Sequence, residues 1–99
     1  MIVIAGTLTL GVVVDESVLD PCRTMMNATH AEKGCVAYVF SADPVNDHTL
    51  RVFEQWESIE DLEAHFEAPH MPPFREAMSQ CNVTGKDISR FSVTDTVRM

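Results

Sequence analysis

The order of apolar segments predicts an α+β domain of ferredoxin-like β-α-β-β-α-β arrangement, an antiparallel sheet with helices packed on one face. Strand-like runs near both ends of the chain support this, as does a turn-linked pair of strands in the middle. Helical spacing recurs on either side of that pair. With 99 residues the chain suits one domain, 1–99, without repeat or linker.

Residues 2–10, IVIAGTLTL, are rich in β-branched side chains and form the first strand. Leu19, Cys22, Met25, Met26 and Thr29 then fall on one face of a helix, capped by Ser17 or Asp20. Pro21 belongs in its first turn, where a missing N–H costs nothing, and Gly34 ends it, with Lys33 suiting the dipole. Residues 35–42, CVAYVFSA, make a second strand. Asp43 to Asn46 and Asp47 have turn chemistry, and 48–57, HTLRVFEQWE, return as the other arm of a hairpin. Ser58 caps the next helix, with Asp61 completing a variant capping box. Ile59, Leu62 and Phe66 define its buried stripe, which stops before Pro69. Pro72 and Pro73 open a further helical segment with Phe74, Ala77, Met78 and Cys81 on one face. Gly85 releases the chain into a last strand, about 86–98, with Phe91, Val93 and Val97 along one side.

A composition of 45% hydrophobic and 22% charged residues is that of a globular chain. Fifteen acidic residues against seven Lys and Arg give a net charge of -8, which repels phosphate backbones and anionic bilayers. Nucleic-acid and membrane partners are therefore excluded. The longest apolar stretches, Met1 to Ala5 and Cys35 to Phe40, are too short to span a bilayer. Met1 leads straight into a strand without a basic lead or cleavage site, so a cytoplasmic location is expected. Cys22, Cys35 and Cys81 are odd in number and lack metal-type spacing, which predicts reduced thiols.

A sheet with one wet face alternates apolar and polar residues. Here Val36, Tyr38 and Phe40 on one side stand opposite Cys35, Ala37 and Val39, and Ile2 and Ile4 opposite Val3 and Ala5. Helices on one face leave the other bare, so a homodimer packed sheet against sheet is expected.

His65 is the candidate catalytic residue. It lies three residues after Leu62, at the margin of a buried stripe, where it either points into a cavity or fastens helix to sheet through the backbone or Glu54. A free imidazole, with a pKa of about 6.5, accepts a proton from an acidic phenol near neutrality. The candidate substrate-binding residues are Tyr38, Glu54, Trp56, Phe66, His70 and Phe74. Glu54 and Trp56 share a strand face with Leu50 and Val52, so Glu54 either orients His65 or pairs with Arg51 or Arg75. Trp56 offers a flat aromatic wall or fills the core, and Tyr38 either meets a substrate oxygen or is a buried, satisfied tyrosine. His70 follows Pro69 at a helix boundary, where it caps, lines a pocket mouth or is solvated. The five-residue gap from His65 does not place both imidazoles on one helical face, and no metal site is expected. Solvated roles suffice for His30 and His48. Met25, Met26, Met71 and Met78 are packing residues that also suit an adaptable apolar pocket.

Gly34-Cys35-Val36-Ala37-Tyr38, Glu54-Gln55-Trp56-Glu57-Ser58, Leu62-Glu63-Ala64-His65 and Pro69-His70-Met71 with Phe74 following form a combined pattern. Together with the strand order from about residue 2 to 97, it resembles the antibiotic biosynthesis monooxygenase family, which includes quinol monooxygenases. The resemblance implies a dimeric α+β barrel with a pocket in each subunit between sheet and helices. It also implies oxidation of phenols, anthrones or quinols by O2 without metal, flavin or haem. The family is similar to haem-degrading oxygenases, but those need an asparagine on the first strand and a histidine about three helical turns beyond His65. Strand one has no asparagine and residues 71–81 no histidine, which argues against haem. The expectation is a cofactor-independent monooxygenase acting on a small aromatic, anthrone- or quinol-like substrate. Two alternatives stay open. One is an isomerase with His65 moving protons, its phosphorylated substrate relying on Arg51, Arg75, Lys86 and Arg90 against the acidic charge; the other is a non-catalytic module binding a small hydrophobic ligand.

Overall fold

Seven elements follow one another in the computed structural model, which describes residues 1–99. They are β1 (Ile2–Leu10), α1 (Glu16–His30), β2 (Cys35–Ala42), β3 (Thr49–Trp56), α2 (Ile59–Phe66), α3 (Met71–Ser79) and β4 (Val83–Ser92). The four strands pair antiparallel in the order β2-β3-β1-β4, the expected ferredoxin-like α+β arrangement. Register decides which residues meet the helices. β1 sets Ile2 opposite Trp56, Ile4 opposite Glu54 and Leu8 opposite Leu50, and directly opposed residues share a face. That face, with Tyr38 and Phe40 of β2, packs against Val18, Cys22 and Met25 of α1, Leu62 of α2, and Met71 and Met78 of α3. The three cysteines are free. No helix is long and apolar enough to cross a membrane.

Several boundaries differ from expectation, each for a local reason. Asp15 caps α1 rather than Ser17 or Asp20, its carboxylate accepting the Ser17 N–H at 3.0 Å. The helix therefore starts earlier, and Pro21 falls inside it instead of in the first turn. It ends at His30, so Gly34 does not stop the helix but opens β2 with φ +79°. A Cβ at Gly34 would overlap the Asp61 carboxylate, which Ser58 holds in the predicted capping box. A register shift between Cys35 and Ala37 breaks the alternation of β2. Val36 consequently points away from Tyr38 and Phe40 into solvent, while Cys35 packs against the core. β4 begins at Val83 and ends at Ser92, leaving Gly85 within it and Val97 exposed beyond it. In α2 the inward place three residues after Leu62 goes to His65, and Phe66, the last residue of the helix, is 45% exposed.

The far face of the sheet carries Val3, Ala5, Ala37, Val39, Phe53 and Phe91. Val39, Phe53 and Phe91 there are exposed, as expected for a face that this chain's own helices leave uncovered.

Gly34→Ala is expected to cost about 1–3 kcal/mol, because it forces a side chain into left-handed backbone against a carboxylate. A lowered urea midpoint with unchanged m-value checks this.

Candidate active site

Ser58 fixes where α2 begins: its Oγ accepts the Asp61 N–H at 3.1 Å and its hydroxyl donates to Asp61 Oδ2 at 3.0 Å. The helix phase so defined sets His65 down on the β2–β3 strands. Its ring centroid lies 4.9 Å from that of Trp56 and 5.1 Å from that of Tyr38, and the residue is 1% exposed. An imidazole so deeply buried requires a polar partner. That partner is neither the backbone nor Glu54. The His65 Nδ1–H donates to Glu32 Oε2 at 2.8 Å.

Glu32 lies in the turn between α1 and β2, where its N–H donates to the Thr29 carbonyl and its own carbonyl accepts the Cys35 N–H. The same Oε2 accepts a second hydrogen bond from His70 Nε2 at 2.7 Å. Thr29 Oγ1 is a further 3.4 Å neighbour of that nitrogen. His70 sits at the start of α3 but makes no capping bond. His65 and His70 occupy separate elements, so helical spacing does not keep them apart. The chain turns over residues 67–70 and brings their ring centroids to 6.1 Å. A carboxylate only accepts, so each imidazole carries its proton on the nitrogen facing Glu32. The basic nitrogen of neutral His70 is then Nδ1.

Glu54 pairs with neither Arg51 nor Arg75. Arg51 Nε binds Asp43 at 2.6 Å, and Arg75 donates to the Phe66 carbonyl at 3.4 Å. Glu54 instead accepts the indole N–H of Trp56 at 3.0 Å. Burial pushes the Glu54 carboxyl above its usual range, opposed in part by that indole and by the charge of His65. Burial likewise drives the Tyr38 phenol far up, with Glu54 and Glu32 adding to it, so Tyr38 stays protonated. His30 and His48 are not simply solvated: each donates to a strand carbonyl, of Tyr38 at 2.9 Å and of Leu10 at 3.0 Å.

A cavity of about 250 Å³ opens between α1 and α3, lined by Pro21, Thr24, Met25, His70, Pro73 and Phe74. Of the candidate residues, His70 and Phe74 form its wall. Tyr38, Glu54, Trp56 and His65 are buried and line no cavity, and Phe66 lines none either. The structure thus brings His65 and His70 together through Glu32 and sets Tyr38 and Trp56 around His65. Glu32 and Thr24 escaped the sequence reading. Glu32 stands beside Lys33 in a short polar turn and reads as a solvated charge, with no local signal to mark it.

Residues 1–77 match the family model described as antibiotic biosynthesis monooxygenase. The chain belongs to that family. A relative from Escherichia coli K12 named "Probable quinol monooxygenase YgiN" is 32% identical, over 64% of this chain and 68% of its own length. Solved structures that share the fold include PA3566 and SnoaB. PA3566 from Pseudomonas aeruginosa superposes with TM-score 0.80 at 21% identity, covering 95% of this chain and 94% of its own. SnoaB, a cofactor-independent oxygenase from Streptomyces nogalater, also gives 0.80, at 10% identity, covering 99% and 97%.

The raised Glu54 pKa has a defined consequence for stability. Its ionised form is disfavoured in the fold, so the cost is fully present above the folded pKa and vanishes below the unfolded value of about 4.3. Glu54→Gln, which keeps an acceptor for the indole, is expected to stabilise the protein at pH 7 and to have no effect near pH 4. Urea denaturation at the two pH values checks this.

Proposed function

We propose that this protein is a cofactor-independent monooxygenase that oxidises a small aromatic, anthrone- or quinol-like substrate with O2. One observation carries the reading: an imidazole-carboxylate-imidazole chain ends on the wall of an apolar cavity. Membership of the monooxygenase family and the likeness to the Escherichia coli relative support it. The cavity is small beside the roughly 300–1,000 Å³ of common ligand sites, which favours a compact ring system.

In this reading Phe74, Pro73 and Met25 hold an aromatic ring edge-on to His70, and His70 Nδ1 accepts the acidic proton. Glu32 stabilises the imidazolium so formed, while His65, locked between Tyr38 and Trp56, keeps Glu32 in place. His65 thus contributes through the shared carboxylate. The substrate anion passes one electron to O2, the resulting radical pair combines into a carbon–peroxide bond, and the His70 imidazolium returns its proton to give the hydroperoxide. For a methylene substrate, loss of water from that hydroperoxide leaves a carbonyl. One oxygen atom ends in the product and the other in water, with all electrons supplied by the substrate.

The working unit in this proposal is a homodimer, supported by the exposed Val39, Phe53 and Phe91 on the uncovered sheet face. The free thiols fit a reducing, cytoplasmic setting.

Chelator-treated protein is expected to consume O2 with a member of a hydroquinone and anthrone panel. His70→Ala should lower kcat by about 100-fold or more. Full activity in that variant would remove His70 from the chemistry, and ligand binding without O2 uptake across the panel would favour a binding module. Sedimentation is expected to give a dimer at micromolar concentration and a monomer for Phe53→Lys.

A further inference from the structure

Glu32, His65 and His70 bring together two imidazole nitrogens and a carboxylate oxygen from three separate parts of the fold, all within 4.8 Å of one another. Two histidines and a glutamate form a recognised three-donor set for a divalent transition metal, which leaves a fourth position for water or ligand. We propose that this triad is a binding site for a first-row divalent transition metal ion, held by His65 Nδ1, His70 Nε2 and Glu32 Oε2.

The three donor atoms start within 4.8 Å of one another. Bonds of about 2.1 Å at tetrahedral angles put donor atoms about 3.4 Å apart. The present separations of 2.8 Å and 2.7 Å from Glu32 Oε2 to the two nitrogens would widen by about 0.6 Å and about 0.7 Å, and the two imidazole nitrogens would take up the same spacing. His65 is already oriented by Trp56 and Tyr38, so its donor is fixed in advance. Glu32 and His70 are the adaptable side, with side chains 17% and 20% exposed, and they give the ion a path from solvent. The site's single negative charge and the protein's net charge of -8 both favour a cation.

Ion binding would also reverse which nitrogen of each imidazole bears hydrogen. The metal takes the lone pair of His70 Nε2, which leaves the proton on Nδ1, the atom assigned above as the base. A loaded protein is therefore expected to be inactive in the proposed oxidation. The metal site does not depend on that oxidation: it rests on donor type and placement alone.

The test uses chelator-treated full-length protein titrated with Co2+ and with Zn2+, read by the visible absorption of cobalt and by calorimetry. One ion per chain with four-coordinate cobalt bands is expected. Glu32→Gln and His70→Ala should each weaken binding by about 100-fold or more, beyond the loss typical of an outer-shell partner. His48→Ala, at a separate imidazole, should leave it unchanged. Glu32→Gln keeps the side-chain shape and decides the matter if His70→Ala fails to fold. No saturable one-to-one binding would overturn the proposal, as would affinity retained in Glu32→Gln or lost in His48→Ala. An O2 assay that fails while cobalt binds would sink only the oxygenase reading, and the reverse pattern only the metal site.

Discussion

An imidazole removed from water forfeits the partners of its ring nitrogens, and a buried polar group left unpaired costs about 1–3 kcal/mol. His65 meets that demand with the carboxylate of Glu32. A carboxylate drawn into the same environment is costlier still unless donors surround it, and a second imidazole, His70, answers that need. Mutual satisfaction of these three groups ties the α1–β2 turn, the inner face of α2 and the start of α3 into one unit. The cavity wall at His70 is therefore anchored in the core rather than carried on a free turn.

Around this unit the buried residues on the helix-facing side of the sheet are apolar except for Glu54, whose carboxylate accepts the Trp56 indole N–H. The two carboxylates near His65 consequently differ. Glu54 is held in the packed layer with its ionised form disfavoured, whereas Glu32 is bracketed by two N–H donors beside the cavity. The proposed proton transfer and the proposed cation binding both draw on the second arrangement. Which of them operates depends on whether a proton or an ion lies between the same atoms.

Much of the architecture was legible locally. Ser58 and Asp61 announced the start of α2, the Pro72-Pro73 pair the start of α3, and β-branched runs the strands. The combined motif around Cys35, Trp56 and His65 pointed to the family that residues 1–77 match. Boundaries that turned on competition among neighbours were less readable: Asp15 outcompeted Ser17 as a cap, and one bulge at Val36 put Cys35 instead of Val36 on the core side beside Tyr38 and Phe40.

What the amino-acid order determined by itself is the succession of strands and helices, because caps, turns and periodicity act over a few residues. It also singled out His65, as a polar residue at the margin of a buried helical stripe. Only the tertiary structure decided what His65 meets. Its partner Glu32 is 33 positions away in sequence, and Trp56 and Tyr38 come from two different strands. Contacts between remote segments depend on how helices cross the sheet, and no short-range pattern encodes them. For that reason the carboxylate on which the site depends was the residue that sequence reading passed over.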